Sequence, residues 1–124
     1  MIVPAGYQAV MPYLILKNAE GFIDFTHKVF NASVKQKHLR EDHITIMHGE
    51  VDISGCVIMF AESTSEYSVQ TANLFVYVEN ADQTYKTALK NGAASVNEPR
   101  DQPYGRSCGI DDPQGNRWWI TSLR

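Results

Sequence analysis

Tyr13-Leu14-Ile15-Leu16-Lys17-Asn18-Ala19-Glu20 and Phe75-Val76-Tyr77-Val78-Glu79-Asn80-Ala81-Asp82 are two copies of one pattern, and that repetition decides the fold. The second copy lies 62 residues after the first, half of the 124-residue chain. The overlay runs without a gap to Ala32-Ser33-Val34 on Ala94-Ser95-Val96, with Lys28 on Lys90 along the way. A short match can arise by chance. Here the hydrophobic pattern, the Asn before an acidic turn and the closing Ala-Ser-Val all keep one register, which reads as two homologous halves.

Each half opens with an apolar run suited to a strand, Val10 to Leu16 and Leu74 to Val78, and then meets an Asn that can cap a helix. Phe22, Phe25, Thr26, Val29 and Phe30 fall on one helical face, opposite Glu20, Asp24, His27 and Asn31. In the second half Ala81, Tyr85, Ala88 and Leu89 fall opposite Asp82, Lys86 and Lys90. Three further strand-like pieces follow each helix: Val34 to Leu39, Ile44 to Ile53 and Cys56 to Ala61, then Ser95 to Glu98, Tyr104 to Ile110 and Asn116 to Ser122. Ser54-Gly55 and Asp112-Pro113-Gln114-Gly115-Asn116 supply the turns before each last strand. The expected architecture is α+β, two tandem βαβββ modules over about 8–62 and 72–124 of one domain, joined by the polar stretch Glu62 to Thr71.

Composition narrows the function classes. With 44% hydrophobic and 20% charged residues the chain can build its own core, so disorder is excluded. A net charge of -3 without a basic block argues against nucleic acid as a partner. No run approaches the length of a membrane span, and Met1-Ile2-Val3-Pro4-Ala5-Gly6 has neither a basic nor an apolar leader region, so a cytoplasmic protein is expected. Cys56 and Cys108 are then expected as small buried thiols.

The tandem modules, the opening Pro12-Tyr13-Leu14-Ile15-Leu16 with Ile23-Asp24-Phe25, the strand Met47-His48-Gly49-Glu50 and the ending Asp112-Pro113-Gln114-Gly115-Asn116-Arg117-Trp118-Trp119-Ile120 resemble the vicinal oxygen chelate superfamily. Glyoxalase I, extradiol dioxygenases, fosfomycin resistance enzymes and bleomycin resistance proteins belong to it. Tyr104-Gly105-Arg106 is similar, without the Asp, to a Tyr-Gly-Asp-Arg-like segment of its small single-chain group associated with phosphonate metabolism. The resemblance implies sheets curled into half-barrels that enclose a cleft, commonly completed in a homodimer. It also implies four metal-ligand positions, on the first and last strands of the two modules, held by His, Glu or occasionally Gln in the metal-dependent members.

Those positions fall here on Met11, Asn73 and Trp119, with Val57 or Met59 as the fourth, according to how the last strand of the first module is aligned. A hard or borderline divalent ion needs imidazole, carboxylate or thiolate donors. No metal and no cofactor are therefore expected. Of the four histidines, His27, His38 and His43 lie on polar faces or turns, whereas His48 sits amid the longest strand, on the face of Ile44 and Ile46, with Glu50 next on that face. Two roles fit His48: a half-buried strand histidine bonded to a neighbour, or a ligand contact and general base. A base alone, with nothing to stabilise an enediolate, supplies little rate.

Tyr13, Phe75, Tyr77, Tyr104, Trp118 and Trp119 concentrate aromatic surface on the strands that should wall the cleft. Trp118 and Trp119 must face opposite ways, and whichever faces inward either fills the core or stacks on a flat ligand. Arg106 reads first as a loop arginine and second as an anchor for a carboxylate or phosphonate. The first reading is thus a protein that binds a small organic molecule with Met11, Tyr13, Met59, Asn73, Phe75 and Trp119 as wall and His48, Tyr104 and Arg106 as polar anchors. The alternative is a metal-dependent lyase, isomerase or dioxygenase with ligands relocated to residues such as His48 and Glu50, and a third is a structural or dimerisation domain with a closed cleft.

Overall fold

The computed structural model describes residues 1–123. Module one is β1 (Tyr13–Leu16), α1 (Ala19–Phe30), β2 (Ser33–Leu39), β3 (Ile46–Ile53) and β4 (Cys56–Glu62). Module two repeats it as β5 (Asn73–Tyr77), α2 (Ala81–Lys90), β6 (Ala94–Gln102), β7 (Gly105–Asp111) and β8 (Arg117–Ser122). The strand orders β1-β4-β3-β2 and β5-β8-β7-β6 are identical, with the first and last strands of each module parallel and the remaining pairs antiparallel. The α+β class and the duplicated βαβββ unit are as the sequence indicates.

Both helices start where the paired asparagines place them: Asn18 Oδ1 accepts the Gly21 amide and Asn80 Oδ1 the Gln83 amide, each at 3.0 Å. The α1 face Phe22, Phe25, Thr26, Val29 and Phe30 is buried on sheet one, where Leu14, Leu16, Val51, Ile53, Ile58 and Phe60 meet it. Helix α2 contributes far less, burying only Ala81 and Ala88, while Leu89, expected inside, is 38% exposed. Module two compensates through Trp118, whose ring lies 4.5 Å from that of Phe30 and so closes the seam between the modules.

Several boundaries move for physical reasons. Strand β1 begins at Tyr13 rather than Val10, because Pro12 has no amide to donate, and only its carbonyl takes part, accepting from Met59 N. Strand β6 runs past Glu98 to Gln102, since β6 lies at the sheet edge and Pro99 falls within its register shift between Asn97 and Arg100. Ile44 lies outside β3, and a register shift between His38 and Leu39 places Ile46 in the core while His48 points the other way, so the two do not share a face as the alternation suggests. Cys108 is buried and its thiol pushed up to about 11 by that burial, then by Asp82 nearby. Cys56, expected to be buried, is exposed, because it opens β4 directly after the Ser54-Gly55 turn.

Candidate functional site

Each sheet has one face on its helix and one turned away from it. On sheet one, Tyr13, Met59, Glu50 and Gln36 form a cross-strand row on the helix-free face. On sheet two the matching row is Phe75, Trp119, Gly109 and Asn97. Tyr13 opposes Met59 as Phe75 opposes Trp119, so Met59, not Val57, is the structural counterpart of Trp119. Trp118 faces the core and Trp119 the open side, with Gly109 as its floor: a Cβ there would stand 2.8 Å from Trp119 Cζ3.

A hydrogen-bonded chain crosses the first face. Tyr7 Oη donates to Glu50 Oε1 at 2.6 Å, and Glu50 Oε2 lies 2.7 Å from His48 Nε2. A carboxylate only accepts, so Nε2 carries a proton, and in the neutral ring Nδ1 accepts from Tyr13 Oη at 3.1 Å. Burial alone would raise the Glu50 carboxyl, which is 5% exposed. The bonds from Tyr7 and His48 and the charges of His48 and Lys35 outweigh it and hold Glu50 below the ordinary carboxylate range. The same bond raises Tyr7.

A group whose pKa is depressed on folding adds stability that is present above its unfolded value, about 4.3, and lost as pH falls through the lower folded value. Wild-type protein should therefore lose stability faster than Glu50→Gln as pH drops below about 4, and the variant should be weaker at pH 7 by about 1 to 2 kcal/mol. Thermal midpoints from pH 2 to 7 check both; parallel curves would remove Glu50 from this account.

Tyr7 reaches Glu50 because residues 4–12 lie along sheet one, held by the Gln8 side chain, which donates to Val57 O and accepts from Val57 N. Beneath this segment a cavity of about 450 Å³ is lined by Met11, Met59, Glu50, Tyr7 and Gln8 among others. Sequence reading missed Tyr7, since nothing local marks it and its partner lies 43 residues away.

Of the nine residues singled out from sequence, Met11, Tyr13, His48 and Met59 gather on sheet one, and Asn73, Phe75, Tyr104 and Trp119 belong to module two. Trp119 Nε1 donates to Asn73 Oδ1 at 3.0 Å, and Trp119 and Tyr104 share a recess of about 130 Å³. Among the described residues no hydrogen bond or ring contact joins the two groups within one chain. Arg106 is not brought to either: its Nε and Nη2 donate to the two carboxylate oxygens of Asp82 on α2, both at 3.1 Å, with Asp101 at 3.5 Å.

The residues at the implied metal positions do not fit a hard or borderline divalent ion. They offer two thioethers, an amide oxygen already taken by an indole N–H, and the indole itself. His48 and Glu50 spend their polar atoms on each other and on the two tyrosines. No cluster of three or more His, Cys, Asp or Glu is placed to hold a metal among the described residues.

Solved structures share this architecture. TioX from Micromonospora sp. ML1 superposes with a TM-score of 0.73 at 21% identity, over 94% of this chain and 97% of its own. The fosfomycin resistance protein FosX from Listeria monocytogenes does so at 0.71 and 16%, over 100% and 96%. TnmS3, an antibiotic binding protein from Streptomyces sp. CB03234, gives 0.71 and 14%, over 95% and 100%. At these identities the likeness is one of fold. A search of curated proteins finds no match in sequence. The model of the Glyoxalase/Bleomycin resistance protein/Dioxygenase superfamily, however, matches residues 8–120, nearly the whole chain. With the duplicated module and the two open sheet faces, that match makes this chain a member of the Glyoxalase/Bleomycin resistance protein/Dioxygenase superfamily.

Proposed function

We propose that this protein binds a small organic molecule on the helix-free sheet faces, without a metal ion. One observation carries the reading: these faces keep aromatic side chains open, Tyr13 at 49%, Phe75 at 52% and Tyr77 at 63% exposure, beside polar groups held in fixed geometry. Uncovered aromatic surface of this kind suits a flat or apolar ligand. The neighbours described as antibiotic binding and fosfomycin resistance proteins lend the same ligand class. Met11, Met59, Asn73 and Trp119 replace the donors that metal-dependent chemistry needs, which favours binding over the lyase, isomerase or dioxygenase alternative.

Because each face is only half a cleft, the functional form in this reading is a symmetric homodimer in which sheet one of one copy faces sheet two of the other. Its compartment is the cytoplasm, where the exposed Cys56 thiol stays reduced. Tyr104-Gly105-Arg106, just before and at the start of β7, supports a relation to the phosphonate-associated group within this reading.

A thermal-shift screen of aromatic small molecules, followed by calorimetry on the hits, tests the proposal. Trp119→Ala should weaken binding by more than about 1 kcal/mol. Affinity unchanged by that substitution would reduce Trp119 to a packing role, and a screen without hits would overturn the reading.

A further inference from the structure

A second cavity, larger than the one beneath residues 4–12, shares only Tyr13 with the nine site residues named from sequence. It encloses about 640 Å³ along the outer half of sheet one, against Ile15, Met47 and Ala61, and extends under the loop after β4 to Tyr67. Tyr67 and Met47 are 61% and 52% exposed, so uncovered apolar surface stands beside the polar residues Thr64, Ser65 and Glu66 in the lining. One guanidinium, that of Arg40, lines it.

Arg40 is fixed rather than loose. Its backbone amide donates to Thr45 O, its carbonyl accepts from His43 N, and its Nη2 donates to Glu62 O at 2.8 Å. That is one side-chain bond from a group with five N–H donors, and Arg40 forms no ion pair among the described residues. Of the two carboxylates in the lining, Glu62 is committed elsewhere: Oε2 accepts the Asn18 amide at 3.0 Å and Oε1 the Ala19 amide at 2.8 Å, at the start of α1. Glu66 is exposed on the loop, where water screens it more than the half-buried guanidinium is screened.

Resting on the small-molecule reading above, we infer that this cavity takes a flat aromatic carboxylate. The ring lies against Tyr13, Tyr67 and Met47, and the carboxylate meets the free edge of Arg40 as a forked pair of hydrogen bonds. A single planar cation matches one planar carboxylate. A phosphate dianion would call for further positive charge, and the lining offers none.

Calorimetry on the full chain, stripped with chelator, with three probes of one ring system tests this: 2-naphthoate, 2-naphthol and 2-naphthylmethylamine. The expected order is naphthoate tightest by about ten-fold over naphthol, as a charge-assisted fork requires, with the amine weakest. Arg40→Gln should abolish the preference for naphthoate and leave naphthol unchanged, while Tyr67→Ala weakens all three alike. Naphthoate binding should also fall with salt in the wild type, a readout that needs no variant. Naphthol binding as well as naphthoate, or a preference that survives Arg40→Gln, would overturn the inference while sparing the small-molecule reading. Failure of all three probes would overturn this inference alone if the wider aromatic screen gives hits, and both readings if it does not.

Discussion

Replacing Asp112 with alanine should cost the fold about 3 to 5 kcal/mol, the scale of a buried charge network broken at its centre. Asp112 is 4% exposed. Its Oδ1 accepts the backbone amides of Gln114 and Asn116, both at 2.9 Å. Its Oδ2 accepts Asn116 Nδ2 at 3.0 Å and Trp118 Nε1 at 2.8 Å. No cation pairs with it among the described residues, so four N–H dipoles carry its charge. Alanine leaves all four donors without that acceptor in a place water does not reach. It also loosens the turn that delivers β8, where Asp112 N donates to Asn116 O and Gly115 sits at φ 96°. Against a typical total of about 5 to 15 kcal/mol this is a large share. Urea titration should show a lower midpoint at unchanged slope, and Asp112→Asn an intermediate loss. A cost below about 1 kcal/mol would contradict the network.

Trp118→Ala should lose a comparable amount, about 3 to 5 kcal/mol, for a different reason. Trp118 is the largest of the fully buried side chains, and since α2 buries only two alanines, the indole with Ile110 and Ile120 supplies most of what module two sets in the shared core. Removing the indole opens a cavity beside Phe30 at the seam, so both modules should melt together at a lower temperature in a single transition. Trp118→Phe should recover part of the loss. Since Trp118 also donates to Asp112, the double variant should fall short of the sum of the singles, and strict additivity would mean that the bond contributes nothing.

How much of this was legible follows from the range of each signal. The Asn18 and Asn80 caps, the α1 face and the eight strands are written in local periodicity, and the 62-residue repeat carried one module onto the other. The opposite facing of Trp118 and Trp119 follows from strand alternation alone. The register shift beside His48 is not local: it depends on how β2 and β3 pair, so alternation counted from Ile46 puts His48 on the wrong side. Likewise Arg106 reads as a free loop cation until β7 sets it beside Asp82 on α2. Tyr7 and Arg40 carry no motif, and only the folded chain brings them to Glu50 and to the cavity beside Tyr13. Pattern thus located the faces, and long-range pairing decided which side chains share them.

Metal content separates a binding protein from a metal-dependent enzyme most directly. Protein purified without chelator or metal affinity resin, soaked in Zn²⁺, Ni²⁺, Mn²⁺ or Fe²⁺ and dialysed, should retain far less than one equivalent by elemental analysis, because Met11, Met59, Asn73 and Trp119 are poor donors and His48 and Glu50 are already bonded. Retention near one metal ion per chain would contradict it and would turn attention to His48 and Glu50 as ligands.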